Sequence, residues 1–310
     1  MRSLGIDLGG SAIKACVLDL GPPAAVLHEA ATETVAEEGP AAVLDRMAAA
    51  GSQAIAAAGP VDAVGVGMPG PLDIENGRAL FMTNLPGWEG QPVVAPLRER
   101  LGLPVALVND VRAYTLAELE LGAGRGASTV VCFALGTGVG GGVVVGGKLL
   151  LGMNGSIGEL GHQTMEPDGP PCPCGNHGCL EQYVSGPAIA RAAGLETAEQ
   201  VFEAVERGDV SARRVLERAG TFLGIGIANT VLVVGPERVI VGGGVAAAGD
   251  LLLEPARREL ERRVRVMPLD RIAIVPAELG PRAGAVGAAL WGASQIAPAP
   301  GSDPGSDPGF

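Results

Sequence analysis

Four stretches of the chain combine reactive side chains with spacings that suit chemistry. The first is Asp7-Leu8-Gly9-Gly10-Ser11, followed shortly by Lys14. Paired glycines let backbone N–H groups approach phosphate oxygens, and the Ser11 hydroxyl adds a donor. A carboxylate at a strand end, Asp7, can orient Mg²⁺ through its water shell. The same residues also read as an ordinary hairpin turn carrying one exposed Asp. The second stretch is Leu135-Gly136-Thr137-Gly138-Val139-Gly140-Gly141-Gly142. It lacks Gly-Lys-Ser/Thr, so it is not a Walker loop, and it returns as a strand instead of opening a helix, so it is not a dinucleotide fingerprint. Two Gly-rich hairpins, each ending a strand, are together suited to clamp a phosphate chain.

The third stretch, Asn109-Asp110, ends an apolar strand and starts a helix. Asp110 there is either a helix N-cap or a carboxylate poised to take a hydroxyl proton during phosphoryl transfer. The fourth runs from Glu159-Leu160-Gly161-His162 to Cys172-Pro173-Cys174-Gly175-Asn176-His177-Gly178-Cys179-Leu180-Glu181. Three thiols and an imidazole this close suit tetrahedral Zn²⁺ of the Cys₃His type, with His162 or His177 as the fourth ligand. A disulfide is the competing reading, but Cys172 and Cys174 are too close in sequence to pair easily.

The elements that must position these groups follow from the pattern of apolar runs. Leu4 to Leu8 and Ala12 to Leu20 read as an antiparallel hairpin. A helix follows over about Pro40 to Ala58, then buried strands at Val61 to Met68 and Val105 to Val108, and a helix from Asp110 through Leu121. The pattern then restarts, with strands at Thr129 to Leu135 and Gly140 to Val145 around the second Gly-rich turn. A loop-rich insertion, Gly152 to Gly186, carries the cysteines. The stretch from Thr197 to Val234 reads as helical, Arg238 to Val241 as a strand ending at Gly242-Gly243-Gly244, about Asp250 to Val264 as a helix, Arg271 to Val275 as a strand, and about Arg282 to Ser294 as a last helix. The repetition predicts two related α/β domains facing each other across a cleft. The tail over 298–310, which repeats Gly-Ser-Asp-Pro, is expected to be disordered.

Composition narrows the function classes. Aromatics make up 3% of the 310 residues, so the core must be Ala, Val, Leu and Ile packed around an unusual 49 glycines. The net charge of -12 disfavours general nucleic-acid binding, because no basic excess exists to displace counterions. The most apolar stretch, Phe222 to Gly235, is short for a membrane span and contains Asn229 and Thr230, so it reads as a buried helix. Met1-Arg2-Ser3 leads into Leu4-Gly5-Ile6-Asp7 without an apolar signal core. A cytoplasmic protein with no membrane partner is expected. Cys16 and Cys132 lie in strand-like runs and read as inert core residues.

Taken together, these segments resemble the ROK family of sugar kinases and repressors, from Leu4 to about Ala293 and in the family's order. The most specific piece is Glu159-x-Gly-His162 followed by Cys-x-Cys-Gly-x-x-Gly-Cys-x-Glu. The resemblance implies the actin-like ATPase fold shared with hexokinases. It places a small α/β domain at 1–115, joined by the C-terminal helix at about 282–296, and a large α/β domain at 116–281 holding the second phosphate loop, the zinc loop and an adenosine site. It implies that Asp110 is the catalytic base, and that Asn109, Glu159, His162, Glu181 and Asn84 (in Asn84-Leu85-Pro86-Gly87-Trp88) contact a hexose. It assigns His162, not His177, to a structural Zn²⁺ with Cys172, Cys174 and Cys179. Nucleotide contacts carry over to Asp7, Gly9, Gly10 and Ser11, with Lys14 close by, to Gly136, Thr137 and Gly138, and to Gly243 and Gly244. Ser11 departs from the family's usual Thr but keeps the hydroxyl.

The implied activity is transfer of the ATP γ-phosphoryl group, with Mg²⁺, to a hexose. Glucose is favoured because the segment ending Glu181-Gln182-Tyr183-Val184-Ser185-Gly186 is most similar to the glucokinases of the family. Mannose, fructose and N-acetylhexosamines stay open as acceptors, and polyphosphate as a donor. The rival class is a sugar-responsive repressor, which carries a DNA-binding segment before the first loop; the loop here begins at Asp7 and the charge is wrong for DNA. A non-catalytic sugar sensor is a third reading, opposed by the intact Asp110 and both loops. Family members are usually dimers or tetramers, and no surface pattern decides between them.

Overall fold

The computed structural model describes residues 1–82 and 85–296. Asn84 and the tail over 298–310 therefore lie outside the described residues. The chain divides into two compact units, Met1–Ala113 with the chain from Gly284 on, and Tyr114–Ala283. No helix among the described residues is long and apolar enough to cross a membrane.

The first unit is built on strands β1 (Arg2–Leu8), β2 (Ala12–Asp19), β3 (Ala25–Glu33) and β4 (Ala63–Met68), a two-stranded ribbon of β5 (Leu72–Asp73) and β6 (Arg78–Ala79), and β7 (Val105–Asn109), with helices α1 (Gly39–Ala58) and α2 (Val94–Leu101) and the start of α3 (Asp110–Leu121). The second contains β8 (Val130–Leu135), β9 (Val139–Val145), β10 (Lys148–Leu149), α4 (Glu181–Val184), α5 (Gly186–Ala193), α6 (Ala198–Glu206), α7 (Val210–Val234), β11 (Arg238–Gly242), α8 (Asp250–Arg263) and β12 (Ala273–Pro276). The last helix, α9 (Ala283–Ser294), belongs from Gly284 on to the first unit.

The two main sheets have the same plan. One orders its strands β3-β2-β1-β4-β7 and the other β10-β9-β8-β11-β12. In each, a hairpin supplies antiparallel strands and two later strands add in parallel. Every residue of β4 is buried, as a strand covered on both faces requires. In the first unit the core gathers Leu4, Ile6, Leu8 and Val66 with Val43 and Met47 of α1. In the second it joins Val131 and Phe133 to Leu223 and Ile227 of α7 and Leu252 and Leu260 of α8.

Small residues decide how closely α9 approaches the first sheet. A Cβ at Gly5 or Gly65 would overlap the carbonyl oxygens of Ala285 and Ala288, so only glycine lets this helix lie directly on β1 and β4. Trp291 of the same helix donates its indole N–H to the Leu107 carbonyl at 2.9 Å.

Two differences from the sequence reading have local causes. Strand β3 was not expected; none of its residues is fully buried, and its Ala- and Glu-rich sequence lacks the β-branched alternation that marks a strand. It is held by pairing with β2 along its length. The helical stretch from Thr197 to Val234 is two helices. Gly208 takes φ 88°, and Asp209 then caps α7 by accepting from the N–H groups of Ser211 and Ala212 at 2.7 and 3.1 Å.

Candidate active site

In the first unit the polar residues collect at the C-terminal ends of the parallel strands, the usual place for a ligand in an α/β sheet. Asp7 stands near the end of β1, opposite Lys14 across the β1–β2 hairpin. The Gly9-Gly10-Ser11 turn is closed by the Gly9 N–H on the Ala12 carbonyl at 2.9 Å. Thr34, fully buried just after β3, anchors this turn from the side: its hydroxyl donates to the Gly9 carbonyl at 2.7 Å and its N–H to the Ser11 carbonyl at 3.0 Å. A lone threonine after a weak strand carries no sequence signal for this role.

Asn109 ends β7 beside Met68 of β4. Its side-chain carbonyl accepts from the N–H groups of Val111 and Arg112 at 3.1 and 3.3 Å, so the residue that caps α3 from outside is Asn109. Its amide nitrogen donates to the Met68 and Gly70 carbonyls at 3.4 and 3.3 Å, which ties the ends of β4 and β7 to the turn that follows β4. Asp110 is thereby placed in the first turn of α3, where its carboxylate accepts from the adjacent Val111 N–H at 2.8 Å.

The two carboxylates share one environment. Burial, then the charge of Asp110, pushes Asp7 up to about 7, against a smaller pull downward from Lys14. Burial also raises Asp110, against the opposing pull of the Val111 N–H and of Arg112. Two neighbouring acids that each resist ionising present an all-oxygen donor set that a hard divalent cation such as Mg²⁺ suits, and leave Asp110 a stronger base than an exposed aspartate.

The second unit repeats the arrangement without the acids. Gly136-Thr137-Gly138 joins β8 to β9, with the Gly136 N–H on the Gly138 carbonyl at 2.9 Å. Because β8 and β11 are parallel neighbours, Gly243 and Gly244 emerge beside this turn. Gly243 takes φ 85°, and a side chain there would run into the Leu135 backbone. A pocket of about 310 Å³ is lined by Gly136, Thr137, Gly244 and Val245 together with Glu196 and Thr197. Tyr114, which the sequence reading passes over, packs its hydroxyl against Gly242 and accepts the Gly243 N–H. Its place one helical turn after Asp110 is the only available signal.

The insertion after β10 brings the remaining candidates together. The ligand atoms of His162, Cys172, Cys174 and Cys179 all lie within 4.8 Å of one another. Cys174 Sγ and Cys179 Sγ are 3.7 Å apart, as are Cys172 Sγ and His162 Nδ1. Tetrahedral Zn²⁺ with Zn–S bonds of about 2.3 Å has S···S edges of about 3.8 Å, so the spacing fits the metal. All three cysteines are free thiols, which removes the disulfide reading. Burial pushes Cys179 up to about 12 and raises Cys172, whereas the Asn176 N–H lowers Cys174, so a bound cation would be needed to hold all three as thiolates. His177 is exposed, and its segment pairs with Pro171 as the outer edge of the loop.

The other ring nitrogen of His162, Nε2, lies 3.9 Å from a Glu159 carboxylate oxygen. Glu181, at the start of α4, accepts the Val139 N–H at 3.0 Å through Oε2 and lies against Gly138, while its Oε1 is 4.0 Å from Cys172 Sγ. It therefore links the thiol cluster to the second Gly-rich turn. Of the segment around Asn84, Leu85 and Trp88 are fully buried in the core of the first unit.

Comparison with known proteins accords with this geometry. Residues 3–295 match the ROK family. A glucokinase of Thermotoga maritima is 34% identical over 308 residues, spanning 93% of this chain and 96% of that protein. A ROK hexokinase from Thermus thermophilus has the same fold at a TM-score of 0.85 and 37% identity, covering 96% of this chain and 99% of the other. A ROK family glucokinase from Streptomyces griseus, solved in complex with glucose and AMPPNP, gives a TM-score of 0.80 at 33% identity over 95% of this chain and 100% of the other. With motifs, strand order and overall chain path all in agreement, the protein belongs to the ROK family and has the actin-like α/β fold of its sugar kinases.

Proposed function

We propose that the protein is an ATP-dependent glucokinase that converts glucose to glucose 6-phosphate. The observation that carries the chemistry is the buried carboxylate Asp110, held in the first turn of α3 by the Asn109 cap and raised above the usual carboxylate range by its burial. Glucokinase relatives at 33–34% identity support glucose as the acceptor and ATP as the donor.

In the proposed reaction the sugar hydroxyl oxygen attacks the γ-phosphorus in line, its proton passes to Asp110, and ADP leaves with the former bridging oxygen. Asn109, Glu159, His162 and Glu181 hydrogen-bond the sugar. Asn109 would do so by exchanging one of its long bonds to the Met68 or Gly70 carbonyl. The Gly9-Gly10-Ser11 and Gly136-Thr137-Gly138 turns hold phosphate oxygens by backbone N–H groups, and the Gly136–Gly244 pocket takes the nucleoside. Mg²⁺ when bound supplies positive charge to the phosphates, and Asp7 orients it. Cys172, Cys174, Cys179 and His162 would hold Zn²⁺ in a structural role, and the metal would fix the imidazole tautomer and leave Nε2 free for the sugar.

The deciding experiment is ATP consumption against glucose, mannose, fructose, N-acetylglucosamine and N-acetylmannosamine, with Asp110→Asn as control. Glucose-dependent turnover abolished by the substitution is expected. Turnover on a different sugar alone overturns glucose, and full activity in the variant overturns the base.

A further inference from the structure

A groove of about 390 Å³ on the second unit is lined by Pro170 and residues of α4, α5 and α7, and shares no residue with the pocket at Gly136 and Gly244. Its floor is aromatic: Phe222 stacks on Tyr183 with ring centroids 3.9 Å apart and 22° between planes. Three exposed arginines border it, Arg191 on α5 and Arg214 and Arg218 on α7. The Arg218 guanidinium lies 5.6 Å above the Phe222 ring, and Arg191 reaches the backbone and side-chain oxygens of Gln182, each at 3.4 Å.

What sets these arginines apart is that all three, each without an ion pair, border one groove. Arg207, Arg213, Arg257, Arg262 and Arg263 of the same unit each pair with a carboxylate within 4.0 Å. Among the described residues, Arg191, Arg214 and Arg218 have no such partner. The carboxylate beside the groove, Glu166, is already occupied by the Tyr183 hydroxyl at 2.8 Å. Three cations around one groove outnumber the Glu166 carboxylate beside it, and on a chain with a net charge of -12 that is a local concentration of positive potential.

We propose that this groove is a second ligand site, for a small phosphorylated metabolite. Guanidinium forks match phosphate oxygens bidentately, and three of them suit a dianion better than a single carboxylate. The Tyr183–Phe222 floor takes the carbon body, and the volume falls in the range of small-molecule sites. Gln182 and Tyr183 directly follow Glu181, so a ligand here braces the helix that begins with that carboxylate. A change in the sugar concentration giving half-maximal rate is the consequence; that part rests on the kinase reading, whereas binding itself does not.

The test is isothermal titration of the full chain with phosphoenolpyruvate, 3-phosphoglycerate and inorganic phosphate. It is run once on the free protein and once with saturating glucose and AMPPNP, so that the proposed nucleotide and sugar sites are filled. Saturable binding of at least one organic phosphate in both arms is expected, with Kd below about 1 mM, weakened tenfold or more in the Arg214→Ala, Arg218→Ala double variant. Circular dichroism and activity without added phosphate should match wild type in that variant. No saturable binding, binding lost once glucose and AMPPNP are present, or equal binding by the double variant overturns the proposal. So does light scattering that shows a wild-type oligomer split by the double substitution, because the arginines then hold a second copy of the chain. A chain inactive as a kinase leaves the free-protein arm fully readable.

Discussion

The two units run the same strand order, β3-β2-β1-β4-β7 and β10-β9-β8-β11-β12, yet the ends of their parallel strands differ in chemistry. The first unit places two carboxylates there, Asp7 and Asp110, each raised by burial. The second places glycines there, Gly136, Gly138, Gly243 and Gly244, and its nearby acids come from later segments, Glu181 at the end of the insertion and Glu196 before α6. One sheet plan therefore supports two jobs. Where carboxylates are crowded away from water, the strand ends suit proton and metal chemistry; where backbone amides are bare, they suit recognition of phosphates and a nucleoside.

The comparison is broken most severely at Asp110. An Asp110→Asn variant should lose about 10²- to 10⁴-fold in kcat while binding glucose and nucleotide near normally, measured by steady-state kinetics beside equilibrium binding. A loss confined to KM would move the first unit from chemistry to recognition. Next in size is the thiol cluster. Stripping metal with a strong chelator, or changing Cys179→Ser, should raise the glucose KM by at least about tenfold and lower Tm, with zinc content by atomic absorption tracking both. Unchanged kinetics in a zinc-free protein would remove the cluster from the sugar site.

The recognition side is sharpened by Gly243→Ala. A φ of 85° and the adjacent Leu135 backbone make any side chain strained there, by roughly 1–3 kcal/mol. The ATP KM should rise while the glucose KM stays put.

Asp7 tests the opposite unit through pH. Its native value near 7 exceeds the ordinary 3.8, so the ligand-free folded protein holds a proton that the unfolded chain releases. Stability without ligand should therefore fall as pH rises from about 4 to 7 and level off above. Asp7→Asn should flatten that slope and raise stability at pH 8 by roughly 1–4 kcal/mol, while impairing activity. An unchanged pH profile of Tm would show that Asp7 is not the titrating group. The smallest effect is expected of Thr34→Val, which removes the hydroxyl donor to the Gly9 carbonyl and should cost about 1 kcal/mol with a modest rise in ATP KM.

Much of this was legible before any coordinates. The hairpin glycines, the apolar strands ending at Met68 and Asn109, and the Cys-x-Cys spacing are local patterns, and the main strands and longer helices fall where the patterns place them, within a few residues; α2, the β5–β6 ribbon, β10, α4 and α5 are too short to leave such a pattern. The exceptions are instructive. Strand β3 escapes because an edge strand with no buried residue needs no apolar alternation; pairing with β2 is sufficient to hold it. The break at Gly208 escapes because helical periodicity on both sides is uninterrupted, and only the positive φ and the Asp209 cap reveal two helices.

By itself, then, the sequence determined the kinds of chemistry available, because Gly-rich turns, thiol clusters and strand ends are written in a few adjacent residues. Tertiary structure decided which groups meet and in what state. It brings Asp7 close enough to Asp110 to raise its affinity for a proton, and it gives the capping role to Asn109 and leaves the neighbouring carboxylate to other work. It also selects His162 over the nearer His177 for the thiols. Proximity, burial and local dielectric are properties of packing, and no spacing along the chain encodes them.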